Sequence, residues 1–298
     1  MDQGGGLRHR VFNPGHCAPG SDITDGSCLD RDLMVKVSKA LNKISKDQNI
    51  DCNQDTNNLH ECICKCIQDM TGCSSEACWL NLKSLMKLLG EKDRERFKNS
   101  FKPVMPKEWL SDYNTWLTTD EIENCLDQHE NARKDFYFYG AVPIDFSNCS
   151  VSNLCSFNLK DHLNRGHKKV GIVFNTDPHT KDGEHWISMY VDLVGQNLEG
   201  NPGIYYFDSY GHKPGKEVNK LIQKIKKQGK RSKKKFKYLF NDKEYQKKDA
   251  QCGMYAIHFI KEMLRGIPFQ KFLKTDLSDK KMIHKRNEYF IEPTEIHK

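Results

Sequence analysis

Residues 251–264 read QCGMYAIHFIKEML, and this stretch decides the fold. Met254, Ala256, Ile257, Phe259, Ile260, Met263 and Leu264 leave almost no polar side, so the spacing predicts a helix buried nearly all round. Such a helix needs other elements wrapped about it. The runs over 136–139, 170–174, 186–193, 203–208 and 236–240 are rich in β-branched and aromatic residues and read as strands. Val218, Leu221, Ile222 and Ile225 form the apolar stripe of one further helix. The fold class that follows is α+β: a central mixed, mostly antiparallel sheet flanked by helices, with a helical N-terminal domain.

Residues 1–130 read as that helical domain and 131–298 as the α+β domain. Glycines and prolines make the first 28 or so residues look loose. A helix follows Asp30, with Leu33, Met34, Val37, Leu41 and Ile44 at helical spacing. The polar stretch 47–60 reads as a loop. A helix over 79–89 is expected to end on Gly90 as its C-cap. Thr118 and Glu121 fit a capping box at the start of another.

Cys252 opens the buried helix. A thiol at a helix N-terminus meets the positive end of the helix dipole, which favours thiolate. Gly253 beside it allows a close approach. His185 stands just before one strand and Asp208 at the end of the next. A thiolate, an imidazole and a carboxylate that orients it make a nucleophilic triad. Gln246, six residues before Cys252, can donate its amide to an oxyanion. Each residue alone has an ordinary reading as core, surface or turn; the order His, Asp, Gln, Cys carries the signal.

Composition sets the bounds. With 37% hydrophobic and 29% charged residues, the chain is neither disordered throughout nor fibrous. No apolar run approaches about 18 residues, so no membrane span is expected. The first residues lack the apolar core of a secretory signal, and the 12 cysteines are therefore expected as reduced thiols, with oxidation in the released particle the alternative for the cluster at 62–78.

GEHWISMYVDL (183–193), YYFDSYG (205–211) and Gln246 with Cys252-Gly253 resemble the ubiquitin-like-protein-specific and adenovirus-type cysteine proteases. GIVFNTDPHTKDGEHW (171–186) and the segment 252–290 are similar to the virion core proteases of large nucleocytoplasmic DNA viruses, the African swine fever virus type among them. Shorter likenesses lie at WLTTDEIENCL (116–126) and FYFYGAVPIDF (136–146). The resemblance implies a cysteine-protease domain over 131–298 with Cys252 as nucleophile and His185 as general base. Asp208 would orient the imidazole, and Gln246 with the Cys252 backbone N–H would form the oxyanion hole. Asn175 and Trp186 fall where the family contacts the peptide. The swine-fever type has Asn where this chain has Asp208. The implied function is endopeptidase cleavage of viral core or capsid polyproteins at Gly-Gly-X sites during virion maturation. It would act in the virion and at assembly sites in the host cytoplasm, with no metal or organic cofactor. Two other readings share these residues: an isopeptidase that removes ubiquitin-like modifiers, and a non-enzymatic nucleic-acid-binding virion component.

The last of these draws on charge. From Lys213 to Lys237 there are 12 Lys or Arg and one acid, Glu217. Lys226, Lys227, Lys233, Lys234 and Lys235 are its peaks and the candidate nucleic-acid contacts. A solvated helix face is the plain alternative. His60, Cys62, Cys64, Cys66, Cys73 and Cys78 include enough ligands for one zinc ion, but their spacing fits no standard site, and no metal is expected. Gly4-Gly5-Gly6 offers a Gly-Gly for self-cleavage or merely a flexible terminus.

Overall fold

The computed structural model describes residues 12–23, 26–45, 49–73 and 75–296. The chain divides into two units, residues 1–110 with 287–298 and residues 111–286. Gly4-Gly5-Gly6 lies outside the described residues.

In the first unit the Asp30 side chain accepts from the Leu33 N–H and starts α1, Arg31–Ile44. Asp55 does the same for α2, Thr56–Thr71, accepting from the backbone of Asn57 and Asn58. Gly72, at φ 74°, ends α2 in the left-handed conformation that glycine tolerates best. Leu33, Met34, Val37 and Leu41 of α1 share one core with Leu59, Ile63 and Ile67 of α2. The first turn of α2 falls where the Asn-rich sequence reads as loop. Two short helices follow, α3 (Lys83–Leu88) and α4 (Glu91–Asn99). Gly90 is the N-cap of α4 rather than the C-cap of the helix before it.

The cysteines correct two expectations. Cys17 pairs with Cys28 and Cys73 with Cys78, and in the second unit Cys149 pairs with Cys155. The reading of all 12 as reduced thiols therefore fails, and the stretch after Phe12 is tied down: Cys17, Ala18, Cys28 and Leu29 are buried. His60 faces Glu76 at 2.9 Å, and Glu76 also accepts from Ser27 Oγ and the Cys28 N–H. These buried groups are thus satisfied by one another. Cys64 and Cys66 lie in the α2 packing face.

The second unit begins with α5, Thr119–Ala132, where the Thr118 N–H donates to the Glu121 carboxylate at 2.6 Å. Five strands follow: β1 (Phe136–Val142), β2 (Lys169–Asn175), β3 (Trp186–Asp192), β4 (Gly203–Phe207) and β5 (Lys237–Phe240). Their order in the sheet is their order in the chain. The centre, β2–β3–β4, is antiparallel, while β1 runs parallel to β2 and β5 parallel to β4. The sheet is mixed as expected, but its pairings divide evenly rather than mostly antiparallel. Each parallel pair needs a crossover. α6 (Leu159–Asn164) lies in the first and α7 (Lys216–Arg231) in the second.

A boundary at residue 130 would cut α5 from the strand it serves. β1 is an edge strand, and the Glu123 and Glu130 carboxylates of α5 accept from its Ala141 and Phe138 N–H groups at 3.0 Å each. Edge donors that would otherwise need water are thereby paired within the unit. One face of the sheet, with Ile187, Met189 and Val191, packs on Val218, Leu221, Ile222 and Ile225 of α7. The strand period turns Ser188 and Tyr190 to the opposite face, against which α8, Cys252–Leu264, is packed. Every residue of α8 is buried except Lys261 and Glu262, which are half-buried. α9 (Phe269–Phe272) and α10 (Asp279–Tyr289) follow. Among the described residues no helix is long and apolar enough to cross a membrane.

Candidate active site

Cys252 is the first residue of α8, so its thiol sits at the positive end of the helix and is only 2% exposed. His185 immediately precedes β3, and its Nε2 lies 2.8 Å from Asp208 Oδ1 at the end of β4. With Nε2 committed to Asp208, Nδ1 is left for the Cys252 thiol, which also hydrogen-bonds the His185 side chain. The sequence distance from His185 to Cys252 is closed by the sheet: β3 and β4 are neighbours, and α8 packs on β3. Burial disfavours charge on the His185 ring, but the hydrogen bonds to Asp208 and Cys252 outweigh it and raise the ring to about 9. The imidazolium therefore persists through neutral pH beside the thiol. Tyr210 covers the ring, with centroids 4.8 Å apart.

Asp208 is held from several sides. The Tyr210 N–H donates to its Oδ1, and the largely exposed His212 lies 3.6 Å from Oδ2. Its backbone is clamped by the buried Asn241: the Asp208 N–H donates to Asn241 Oδ1 at 2.9 Å, and Asn241 Nδ2 donates to the Asp208 carbonyl at 2.6 Å. Asn241 follows β5, so its side chain continues the ladder beyond the last paired residues, Tyr206 and Phe240.

Gln246 is fully buried on the same turn. Its backbone N–H and that of Tyr245 both donate to the Ser209 carbonyl, and Ser209 Oγ donates to Gln246 Oε1 at 2.7 Å. The Lys248 carbonyl, which can only accept, fixes which end of the amide is the donor. One Nε2 hydrogen goes to the Lys248 carbonyl and the other to Tyr210 Oη at 3.2 Å, the longer of the two.

Trp186 is buried, and its indole N–H donates to the Leu117 carbonyl at 2.9 Å. A Cβ on Gly253 would stand 2.8 Å from Leu117 Cβ and 3.4 Å from Trp186 Cδ1, so this approach requires glycine. Asn175 pairs with Trp186 across β2 and β3, and its Oδ1 accepts from the Asp177 and Glu184 N–H groups. Both residues line a cavity of about 390 Å³. A second cavity of about 610 Å³ is lined by His185, Asp208 and Tyr210. Trp116 lines both and is 43% exposed, an unusual position for so large an apolar side chain.

Several of these groups left no clear trace in the sequence. The segment bearing Trp116 is pinned from beneath: Gln251 Nε2 donates to the Tyr113 carbonyl and Arg286 Nη2 to the Thr115 carbonyl. Arg286 Nε also donates to Gln251 Oε1. Burial lowers the Arg286 pKa to about 10. Only the likeness at 116–126 and at 252–290 drew attention to these stretches. Ser209 and Tyr210 stood within the segment 205–211 but without a role. The five lysines singled out for nucleic acid lie on α7 and just after it. Lys227, Lys233 and Lys235 are exposed, whereas Lys226 sits over the Tyr238 ring and Lys234 donates to the Leu193 carbonyl. Among the described residues no group of three or more His, Cys, Asp or Glu side chains is placed to hold a metal ion.

A thiol that faces a charged imidazole suits attack on a carbonyl and return of a proton to a leaving amine. The comparisons agree with that chemistry. The model of the Ulp1 protease family, C-terminal catalytic domain, matches residues 158–298. A putative thiol protease of Acanthamoeba polyphaga mimivirus is 30% identical over 283 residues, 90% of each chain. A protein of African swine fever virus named a SUMO-1 cysteine protease is 24% identical over 271 residues, covering 80% of this chain and 94% of that one. The crystal structure of the African swine fever virus protease has the same fold, with a TM-score of 0.64 at 21% identity over 95% of this chain and 98% of that one. The chain belongs to the Ulp1 family of cysteine proteases, in the group that includes these viral thiol proteases.

Proposed function

We propose that the chain is an endopeptidase that cleaves viral core or capsid polyproteins at Gly-Gly-X sites during virion maturation. Cys252 thiolate attacks the scissile carbonyl carbon and forms a tetrahedral intermediate. Its oxyanion accepts from the Cys252 backbone N–H and from the Gln246 amide. His185 delivers its proton to the leaving amine, and the C–N bond breaks to give an acyl-thioester. Water then attacks the thioester while His185 takes its proton, releasing the acid and the thiol. Asp208 holds the ring with Nδ1 toward the sulfur throughout.

The observation that carries this reading is the hydrogen-bonded chain Asp208–His185–Cys252 at the start of a buried helix. The Gly-Gly preference is read from the family likeness at Asn175 and Trp186, which line one cavity together with the exposed Trp116. The virion and assembly sites in the host cytoplasm are the proposed places of action, a reading in keeping with the viral relatives.

A second reading, removal of ubiquitin-like modifiers, is favoured by the name of the swine fever virus relative and by the Ulp1 family itself. Wild type and Cys252→Ala are assayed on a Gly-Gly-X peptide and on a ubiquitin-like fusion. Peptide cleavage that the substitution abolishes supports polyprotein processing. Cleavage of the fusion alone supports the second reading. Equal cleavage of a Gly-Ala-X peptide overturns the Gly-Gly preference.

A further inference from the structure

The positive charge of this chain is not spread over it. The run Lys213–Lys237 carries 12 Lys or Arg and one acid, a net of +11, while the whole chain carries +7. All other residues together therefore sum to 7 − 11 = −4. A basic region on an otherwise acidic chain is a polyanion-binding surface in electrostatic terms.

The fold turns that run outward. Val218, Leu221, Ile222 and Ile225 of α7 are buried in the sheet core, so the lysines occupy the opposite side. Lys216, Lys220, Lys227, Lys230 and Arg231 are exposed along a helix of 16 residues, roughly 24 Å at 1.5 Å per residue. Lys233, Lys235 and Lys237 continue it and are exposed as well. Lys216 with Lys220, Lys220 with Lys224, Lys226 with Lys230, and Lys227 with Arg231 are like-charge neighbours four residues apart. Such pairs destabilise a helix, and the one acid present, Glu217, is paired with Lys220. Helix stability does not account for this arrangement; a bound row of negative charges does. At the end of α7 a cavity of about 550 Å³ brings Lys160 of α6 beside Gln228, Arg231 and Ser232, so the basic surface is concave there. An anionic membrane fits less well, because α7 has its apolar face buried. Among the described residues the exposed large apolar side chains are Ile23, Met70, Leu88, Leu110, Trp116 and Val194, none of them in this run.

We propose that the outer face of α7, continued by Lys160 on one side and by Lys233, Lys235 and Lys237 on the other, binds the phosphodiester backbone of a nucleic acid. The contact is to phosphates and is independent of base sequence. It needs no part of the protease site.

The test is fluorescence anisotropy of the full chain with a labelled 20-nucleotide single strand and a labelled 20-base-pair duplex, from 50 to 200 mM salt. About five phosphate contacts give a log–log salt slope near −4.5 on duplex and near −3.5 on single strand. The arm with the tighter binding identifies the natural form. The triple variant Lys227→Gln, Lys230→Gln, Arg231→Gln should lose at least tenfold in affinity at 100 mM salt, and its slope should shrink by about two to three. Its thermal midpoint should change little, since relief of like-charge repulsion offsets the lost interaction of Lys230 and Arg231 with the C-terminal end of α7. Absence of binding to either oligonucleotide at 50 mM salt overturns the proposal. So does unchanged binding by the triple variant, or tighter binding to phosphatidylserine vesicles than to both oligonucleotides.

Discussion

Replacing Asp208 by Asn keeps the shape of the hydrogen bond to His185 and removes its charge. The ring stands at about 9 instead of its ordinary 6.5, although burial pushes the other way. At about 1.36 kcal/mol per unit, that difference amounts to roughly 3 kcal/mol in favour of the imidazolium. Two partners supply it, Asp208 and Cys252, and the substitution removes the first while the burial remains. In the proposed mechanism His185 gives its proton to the leaving amine, so activity falls as pH rises through its pKa. The alkaline limb of kcat/KM should therefore lie near pH 9 in the wild type and move down by at least about one unit in Asp208→Asn. At pH 8.5 a shift of that size costs the variant about threefold or more, the ratio of protonated ring in the two proteins. The assay is the pH profile of peptide cleavage, run beside the pH dependence of Cys252 alkylation by iodoacetamide. An alkaline limb that stays in place would refute the reasoning, because the Asp208 charge would then contribute nothing to holding the proton.

The same proton bears on stability. A raised histidine pKa contributes stability that is complete below 6.5 and lost as pH rises through about 9, so the thermal midpoint should fall across that window more in the wild type than in His185→Gln. Gly253→Ala places a methyl group against Leu117; a cost of about 1–3 kcal/mol is expected by denaturant melts, with a lower kcat/KM. Gln246→Ala should lower kcat by roughly 10²–10³ with little change in KM, and Ser209→Ala, which frees the amide to turn, should lower it less. Asn241→Asp loses both Nδ2 donors and sets a second carboxylate near Asp208; kcat should fall with KM preserved, measured by steady-state kinetics.

Sequence carried the parts of the site that sit at the ends of regular elements. Cys252 is legible because the helix behind it is apolar on nearly every face, and His185 and Asp208 because β-branched and aromatic runs adjoin them. The groups that hold those residues in place were not legible. Asn241, Gln251 and Arg286 act by side-chain hydrogen bonds to backbone atoms, and Arg286 reaches Thr115 across 171 positions. Such contacts have no period and no local spacing. α2 has no counterpart in the sequence reading: Asn57 and Asn58 read as loop, although Asp55 before them is its cap, and the cysteine-dense run after them carried no helix. The disulfides were missed because the expectation about redox state came from the chain's first residues, whereas pairing depends on which cysteines the fold brings together. α5 was assigned to the N-terminal domain on helical character alone, since nothing in its sequence tells that Glu123 and Glu130 serve the edge of a sheet.

Among the described residues six cysteines lie outside disulfides, and we propose that one of them, Cys252, is the nucleophile. A peptide ending in Gly-Gly with a carbonyl-like electrophile at its C-terminus, added below one equivalent at neutral pH, tests it most directly. The adduct is mapped by proteolysis and mass spectrometry. The account predicts label on Cys252, lost in His185→Ala and absent in Cys252→Ala. Label distributed over Cys52, Cys62 and Cys252 alike, unaffected by the His185 substitution, would contradict it.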